Sequence, residues 1–327
     1  MRMDILYQAD ENYAVFGGVS ICSLFENNQD AEEICVHFLA SGFDEKIKSQ
    51  LKELEDKYHR QIILYDAEPI KKRVIETGAA IHDGSYATYY KLFLEEFIPE
   101  DIERLLYIDD DTVVLGSLKE LFTLEMGRSH LAIARDCDPL PFHDQTPEER
   151  KRCRYNCGVM LIHLKNWRDN GCQKQIEEYM KSHRNYCHDQ DILNRLYYEQ
   201  IIPLPCEYNV TPILYTFSLR QYFAMYKPID YYSMDEVKTG IQNIKIAHFF
   251  HWCNESAWNI GTLHPYRKLF QYYLSISPWK DTYVPVKKQL KRVYRIEKFL
   301  YRILPKSLFL YLWYNYRKRH GLALIQE

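Results

Sequence analysis

The first 65 residues constrain the fold more than any other part of the chain. Ile5–Tyr7, Ile34–Leu39 (ICVHFL) and Ile62–Tyr65 are short apolar runs, and Glu45–Tyr58 between the last two carries Ile47, Leu51 and Leu54 on one helical face. Strands joined through helices return to their sheet by crossovers, which demands parallel pairing with helices on the faces. The predicted class is therefore α/β, and the loop after the first strand of such a sheet is a usual ligand position. Asp10 and Asn12 in that loop suit a base or ribose edge, and they suit capping of the next helix equally well. No G-x-G-x-x-G or Walker pattern is present, and Gly17-Gly18 alone carries no weight.

Residues 105–118 read LLYIDDDTVVLGSL. Leu105–Ile108 has the look of a buried strand, and Val113–Leu115 resumes the apolar pattern directly after Asp109, Asp110 and Asp111. A polar point between two buried pieces needs a counter-charge. Asp109 and Asp111, two apart, can lean around one hard divalent cation that keeps positions open for phosphate oxygens. An acidic surface turn is the plain alternative. A phosphatase using Asp109 as nucleophile, in the D-x-D-x-V pattern, is another, although that pattern usually opens its domain and here about a hundred residues precede it.

Further along, Thr88–Phe97 has helical apolar spacing and ends at Pro99. Lys91 sits one turn in, either solvated or reaching the acids. Leu131–Ala134 is a predicted strand, and Pro139, Pro141 and Pro147 then mark a loop, a candidate lid or acceptor-side excursion. Val159–Leu164 is another strand, with Asn156 and Gly158 just ahead of it. Asp189 precedes a predicted helix, Ile192–Tyr198, as its N-cap. Ile244–Phe250 is a late strand punctuated by His248; imidazole beside carboxylates suits manganese better than calcium.

At 327 residues, 46% hydrophobic and 27% charged, the chain can bury a full core as a folded enzyme. The N-terminus has no stretch of signal-peptide length, no run approaches the roughly 20 apolar residues of a membrane span, and nine cysteines without a C-x-x-C pair read as reduced thiols. These features predict a cytoplasmic protein. Between Lys287 and Arg319, however, eleven Lys or Arg face the single Glu297, while the whole chain carries −3. In the tail Leu290, Val293, Ile296, Leu300, Ile303 and Leu304 recur at helical steps between basic residues, and Leu308–Tyr314 is apolar and aromatic. Such a tail suits an anionic membrane surface, peripherally on the inner face of the cell membrane. A basic helix packed on the acidic body is the alternative. Nucleic acid is not an expected partner, because that body repels phosphates.

Taken in order, ADENYA in the first loop, TYYKL, LLYIDDD, NCGVMLIHLKNWR, HDQDILN, and AHF ahead of a tryptophan resemble glycosyltransferase family 8, especially its bacterial lipopolysaccharide-type α-galactosyl- and α-glucosyltransferases. The resemblance runs from about Met3 to Trp258. It implies a single Rossmann-like nucleotide-sugar-binding domain of GT-A type at 1–265, with a helical, basic-aromatic tail at 266–327. It also implies a metal-dependent retaining transfer of galactose or glucose from a UDP-sugar to a glycan or lipid-linked glycan acceptor. By position, Asp109, Asp111 and His248 correspond to the ligands of Mn2+ (or Mg2+). Ala9, Asp10 and Asn12 correspond to the nucleotide loop. Lys91, Asp110, Asp136 and Asn156 fall around the donor, and Gln190 and Asp189 fall at the reacting sugar carbon.

Two departures stand out. Lys91 falls where the family usually has arginine, so a charge remains but the planar fork does not. The family's lysine on the diphosphate, after the metal histidine, is missing from His248-Phe-Phe-His251-Trp-Cys-Asn254. Either His251 and Asn254 take over that contact, or the chain binds the UDP-sugar with lost turnover.

Overall fold

The computed structural model describes residues 1–81, 84–138, 146–183 and 188–320, so Pro139 and Pro141 of the proline-marked loop lie outside the described residues. The chain divides into two compact units. One holds 1–134, 155–204 and 273–283, and the other holds 135–154, 205–272 and 284–327.

In the first unit run β1 (Arg2–Asp10), β2 (Glu33–Ser41), β3 (Gln61–Asp66), β4 (Arg104–Ile108), β5 (Thr112–Val114), β6 (Leu131–Arg135), β7 (Tyr155–His163) and β8 (Ile201–Leu204). Seven of them form one sheet in the order β3-β2-β1-β4-β7-β6-β8. The β1–β2, β2–β3, β1–β4 and β6–β8 pairs are parallel, as the alternation of strands and helices predicts. The β4–β7 pair is antiparallel, with Ile108 opposite Val159. That reversal, which strand patterning does not reveal, brings the start of β7 to the end of β4. The chain leaves β1 on one side for β2 and β3 and later returns to the other side as β4. The gap between the ends of β1 and β4 is thus the switch point where open α/β sheets bind ligands.

Helices α1 (Ala14–Asn27) and α2 (Glu45–Tyr58) follow β1 and β2. The second starts where Asp44 accepts a hydrogen bond from the Ile47 amide and stops at His59 in the left-handed conformation. Its Leu51 and Leu54 are buried, each contributing about 1.5–3 kcal/mol of apolar burial. The first packs closely, since a Cβ on Gly18 would lie 2.2 Å from the Trp279 ring. The expected helix at Thr88–Phe97 forms instead as two 3₁₀ turns, Ala87–Leu92 and Leu94–Glu96. Tyr89, Tyr90, Leu92, Phe93 and Leu94 are all buried there, so the apolar residues surround the segment rather than lining one α-helical face.

The second unit contains β9 (Ile246–His248) and a core of Val210, Ile213, Phe217, Tyr222, Val237 and Trp252, in which Phe309 and Leu310 of the tail are also buried. Two tail basic residues serve inside this unit. Lys298 Nζ lies 2.6 Å from Glu255, which is 2% exposed, and Arg317 lies 2.7 Å from Asp138. The two tail helices are Arg292–Ile303 and Lys306–His320. On the first, burial raises the carboxyl of Glu297 to about 7, against the opposing effects of Trp313 and Arg317.

A folded value above the roughly 4.3 of an unfolded glutamate means that this group's stabilising contribution is complete below about pH 4 and is lost as pH rises through 7. Glu297→Gln is therefore expected to melt higher than the parent at pH 8, by about 2 kcal/mol, with the gap narrowing toward pH 5. A gap independent of pH in paired thermal melts would refute this.

Candidate functional site

Two elements far apart in sequence meet at the end of β4. In the first 3₁₀ turn residues i and i+3 eclipse, so Thr88 and Lys91 share one side. Thr88 Oγ1 donates to Asp189 Oδ1 at 2.7 Å, and Lys91 Nζ lies 2.9 Å from Asp189 Oδ2 and 3.4 Å from Asp109 Oδ1. Lys91, 3% exposed, also donates to the Cys157 carbonyl at 3.3 Å and sits 4.0 Å above the Tyr107 ring. Burial disfavours its charge, but Asp109 and Asp189 outweigh that and hold the ammonium above its ordinary range. The Tyr107 hydroxyl donates to Asp109, two residues on along the same face.

The antiparallel β7 supplies the rest. The Asp109 amide donates to the Gly158 carbonyl at 2.8 Å, which fixes the start of β7 against the acids. Asn156 Nδ2 donates to Gln190 Oε1 at 3.1 Å, and the Cys157 amide reaches the same oxygen at 3.4 Å. Gln190 and Asp189 lie in the first turn of the helix His188–Tyr197. Asp189 is therefore inside the helix rather than its N-cap, and its carboxylate serves Thr88 and Lys91. Asn194, one turn on, exchanges two hydrogen bonds with the Tyr155 backbone, at 2.8 and 2.9 Å, and pins this helix to β7.

At the end of β1, Asp10 Oδ1 accepts from the amides of Asn12 and Tyr13, an Asx-type turn that leads into α1, whose N-cap Tyr13 makes no side-chain capping bond, so Asp10 is not the cap of that helix. Ala9 is buried opposite Ala40, and Asn12 is exposed. Asp110 turns inward against α1. A Cβ on Gly17 would sit 2.7 Å from Asp110 Oδ1, and that buried oxygen has no hydrogen-bond partner among the described residues. Burial, then Asp109, Asp111 and Asp10, push its carboxyl well above the usual range. Three crowded acids, one with an orphaned oxygen, make a site deficient in positive charge. Hard oxygen donors of this kind fit Mn2+ or Mg2+.

In the second unit, His248 is 2% exposed, and its Nδ1 meets Asn209 Oδ1 at 2.9 Å. That contact puts the ring hydrogen on Nδ1 and makes Nε2 the lone-pair nitrogen, the arrangement a metal-ligating histidine uses. His251 is exposed. Cys253 and Asn254 have φ of 51° and 56° inside mutual Trp252–Glu255 backbone bonds, so the segment that lacks the family lysine is a tight turn with Asn254 at a left-handed position. The Asp136 amide donates to the Arg154 carbonyl, and Asp136 Oδ1 accepts from the Asp138 amide at 3.1 Å.

Sequence reasoning missed Thr88, Tyr107, Asn194 and Gly17 as supports of the site. Tyr107 was detectable, because on a strand it shares a side with Asp109. Asn194 was not, since its partner is the Tyr155 backbone, 39 residues away.

A mixed sheet with acids, a buried cation and amides gathered at its switch point defines an α/β transferase of GT-A type. The glycosyl transferase family 8 model matches residues 4–260, and the chain belongs to that family. It is a glycosyltransferase, and the phosphatase reading of Asp109 is withdrawn.

Among its relatives, a lipopolysaccharide 1,2-glucosyltransferase of Escherichia coli is 27% identical over 320 residues, 93% of this chain and 86% of that one. General stress protein A of Bacillus subtilis is 26% identical, over 85% of this chain and 94% of its own length. Among solved structures, the galactosyltransferase LgtC in complex with donor and acceptor sugar analogs superposes with a TM-score of 0.64 at 23% identity, covering 86% of this chain and 98% of that one. That likeness supports the fold.

Proposed function

We propose that this enzyme moves a galactose or glucose residue from a UDP-sugar to a surface-glycan acceptor, with retention of configuration and dependence on a divalent metal. The observation that carries the proposal is the buried Lys91, which joins Asp109 and Asp189 in one ion cluster at the switch point that still has more carboxylates than cations. Asp109, Asp111 and His248 would hold Mn2+ or Mg2+, which supplies positive charge to the departing diphosphate. Ala9, Asp10 and Asn12 would meet the nucleotide, and Asp136 and Asn156 the donor hexose. The glucosyl- and galactosyltransferase names of relatives support a hexose donor and a lipopolysaccharide-type acceptor.

On the sugar side, Asp189 is bound by both Lys91 and Thr88. A double displacement needs a carboxylate that can attack carbon, so this engagement favours same-face attack assisted by the departing phosphate. The Gln190 amide oxygen, oriented by Asn156 and Cys157, would stabilise the oxocarbenium-like carbon. A panel of UDP-hexoses with Mn2+, with and without chelator, tests the proposal. Slow metal-dependent hydrolysis of one member supports it, and tight UDP binding without any turnover supports the lost-turnover reading instead.

For the diphosphate, His251 is exposed and cationic once protonated, whereas Asn254 is committed to its turn. His251→Ala is expected to weaken UDP binding several-fold with the metal requirement retained. Unchanged calorimetric affinity removes His251 from the site.

The tail fits a membrane surface. Ile296, Phe299 and Ile303 are 50%, 59% and 57% exposed at three- and four-residue steps, beside exposed Arg292, Arg295 and Arg302. Leu308, Tyr311 and Leu312 continue the apolar exposure on the next helix. Among the described residues no helix is long and apolar enough to cross a membrane. Truncation after Pro285 would strip Phe309 and Leu310 from the core, so surface changes are the cleaner probe. Replacing Ile296, Phe299 and Ile303 together by Ser should abolish flotation with anionic vesicles at moderate salt and leave UDP-sugar hydrolysis intact. Undiminished flotation of that variant sinks the membrane role.

A further inference from the structure

A second set of metal-ligating side chains lies at the opposite end of β1 from the acids. Asp4 on β1 stands opposite Cys35 on β2, and His37 is two residues along β2, on the same face. One ligand atom from each lies within 4.8 Å of the others, and all three residues are buried, at 7%, 0% and 0% exposure. At about 3.3 Å per residue, the six residues from Asp4 to Asp10 separate the set from the candidate active site by about 20 Å. None of the three residues takes part in the chemistry described above.

We propose that Asp4, Cys35 and His37 form a zinc site that ties the first two strands together at their N-terminal ends. The donor set is thiolate, imidazole and carboxylate. It matches zinc, and it differs in kind from the oxygen-rich acid cluster, which suits manganese or magnesium.

The supporting contacts are those of a metal histidine. His37 Nδ1 lies 2.9 Å from the Tyr65 hydroxyl, which orients the ring, and Nε2 lies 2.9 Å from Asp4 Oδ1. Without an ion, Nε2 must carry hydrogen, because the facing carboxylate oxygen accepts. On binding, zinc takes that position, the Nε2 proton is given up to solvent and Nδ1 takes one from solvent, so the ring coordinates as the other neutral tautomer with Nδ1–H donating to the Tyr65 hydroxyl. The Cys35 thiol, which donates to Gln61 Oε1 at 3.5 Å, gives its proton to solvent as the zinc–sulfur bond forms.

Arg2 and His37 both use Asp4 Oδ1, which leaves Oδ2 for the ion. The charge of Arg2 opposes the metal, but the residue is 40% exposed and can turn outward.

The test uses the reduced full-length protein, stripped with a chelator and titrated with Co2+ as a spectroscopic substitute for Zn2+. A thiolate-to-cobalt charge-transfer band saturating at one equivalent is expected, and it should be abolished by Cys35→Ser and by His37→Gln. It should persist in an Asp109→Asn/Asp111→Asn background. In the Asp109→Asn/Asp111→Asn background, which removes the other candidate metal site, a hundredfold excess of Zn2+ over its Kd should raise the Tm by about 4 °C, and adding His37→Gln to that background should remove the shift. Absence of the band, or its survival in Cys35→Ser, overturns the site. Should Cys35→Ser fail to fold, the band in His37→Gln decides: loss supports the proposal and persistence overturns it.

Discussion

Asp109→Asn and Asp111→Asn are each expected to lower hexosyl transfer by roughly 10²-fold or more while the protein stays folded. Both positions lie in the connection between β4 and β5, and the apolar residues Leu105 to Ile108 ahead of them are fully or nearly fully buried and untouched by the change, so the core that holds the fold is kept. Losing one carboxylate removes a ligand from the cation that would neutralise the leaving diphosphate. The Asp109→Asn protein also loses half the counter-charge of Lys91, which Asp109 shares with Asp189. Rates measured against Mn2+ concentration separate the two effects. A binding defect is overcome by excess metal, whereas a loss of charge stabilisation is not. Full activity in either variant, or insensitivity of the parent to chelator, refutes the metal assignment.

Lys91→Met should be the most damaging single change for stability, by about 3–5 kcal/mol, because it removes one partner of a buried ion cluster and leaves the carboxylates desolvated. Methionine fills a similar volume but loses the ammonium, which also sits 4.0 Å above the Tyr107 ring, so the loss reports the charge together with its contact to that ring. If a divalent ion binds at Asp109, it supplies the missing positive charge, and Mn2+ should restore more of the melting temperature of Lys91→Met than it adds to the parent. Equal Mn2+ shifts in the two proteins would show that Lys91 and the metal do not act on the same carboxylate. Lys91→Arg, which restores the family's usual residue, should keep most of the stability.

The site was legible in part because its chemistry is local. Three acids after a buried strand, an amide two residues before a glycine, and an Asp-Gln pair opening a helix each carry their signal within a few residues. The roles are another matter. The pattern at Asp189 reads as an N-cap, and only the eclipsed side chains of the 3₁₀ turn show that its carboxylate belongs to Thr88 and Lys91. Asp110 looks like an equal member of the acid run, yet it is turned inward over Gly17, a glycine that sequence reasoning set aside.

By itself, the sequence determined the α/β class, the positions of β1 to β4 and α2, the absence of a membrane-length helix among the described residues, and the acid cluster as the point needing a counter-charge. All of these follow from periodicity and from the sign of neighbouring charges along the chain. Tertiary structure decided the direction of β7, the 3₁₀ form of the Lys91 segment and the use of Phe309, Leu310, Lys298 and Arg317 as interior contacts of the tail. The physical reason is the same in each case. A parallel and an antiparallel strand have the same two-residue period, and an apolar helix face has the same spacing whether it meets protein or lipid. Only the partner across the contact distinguishes them.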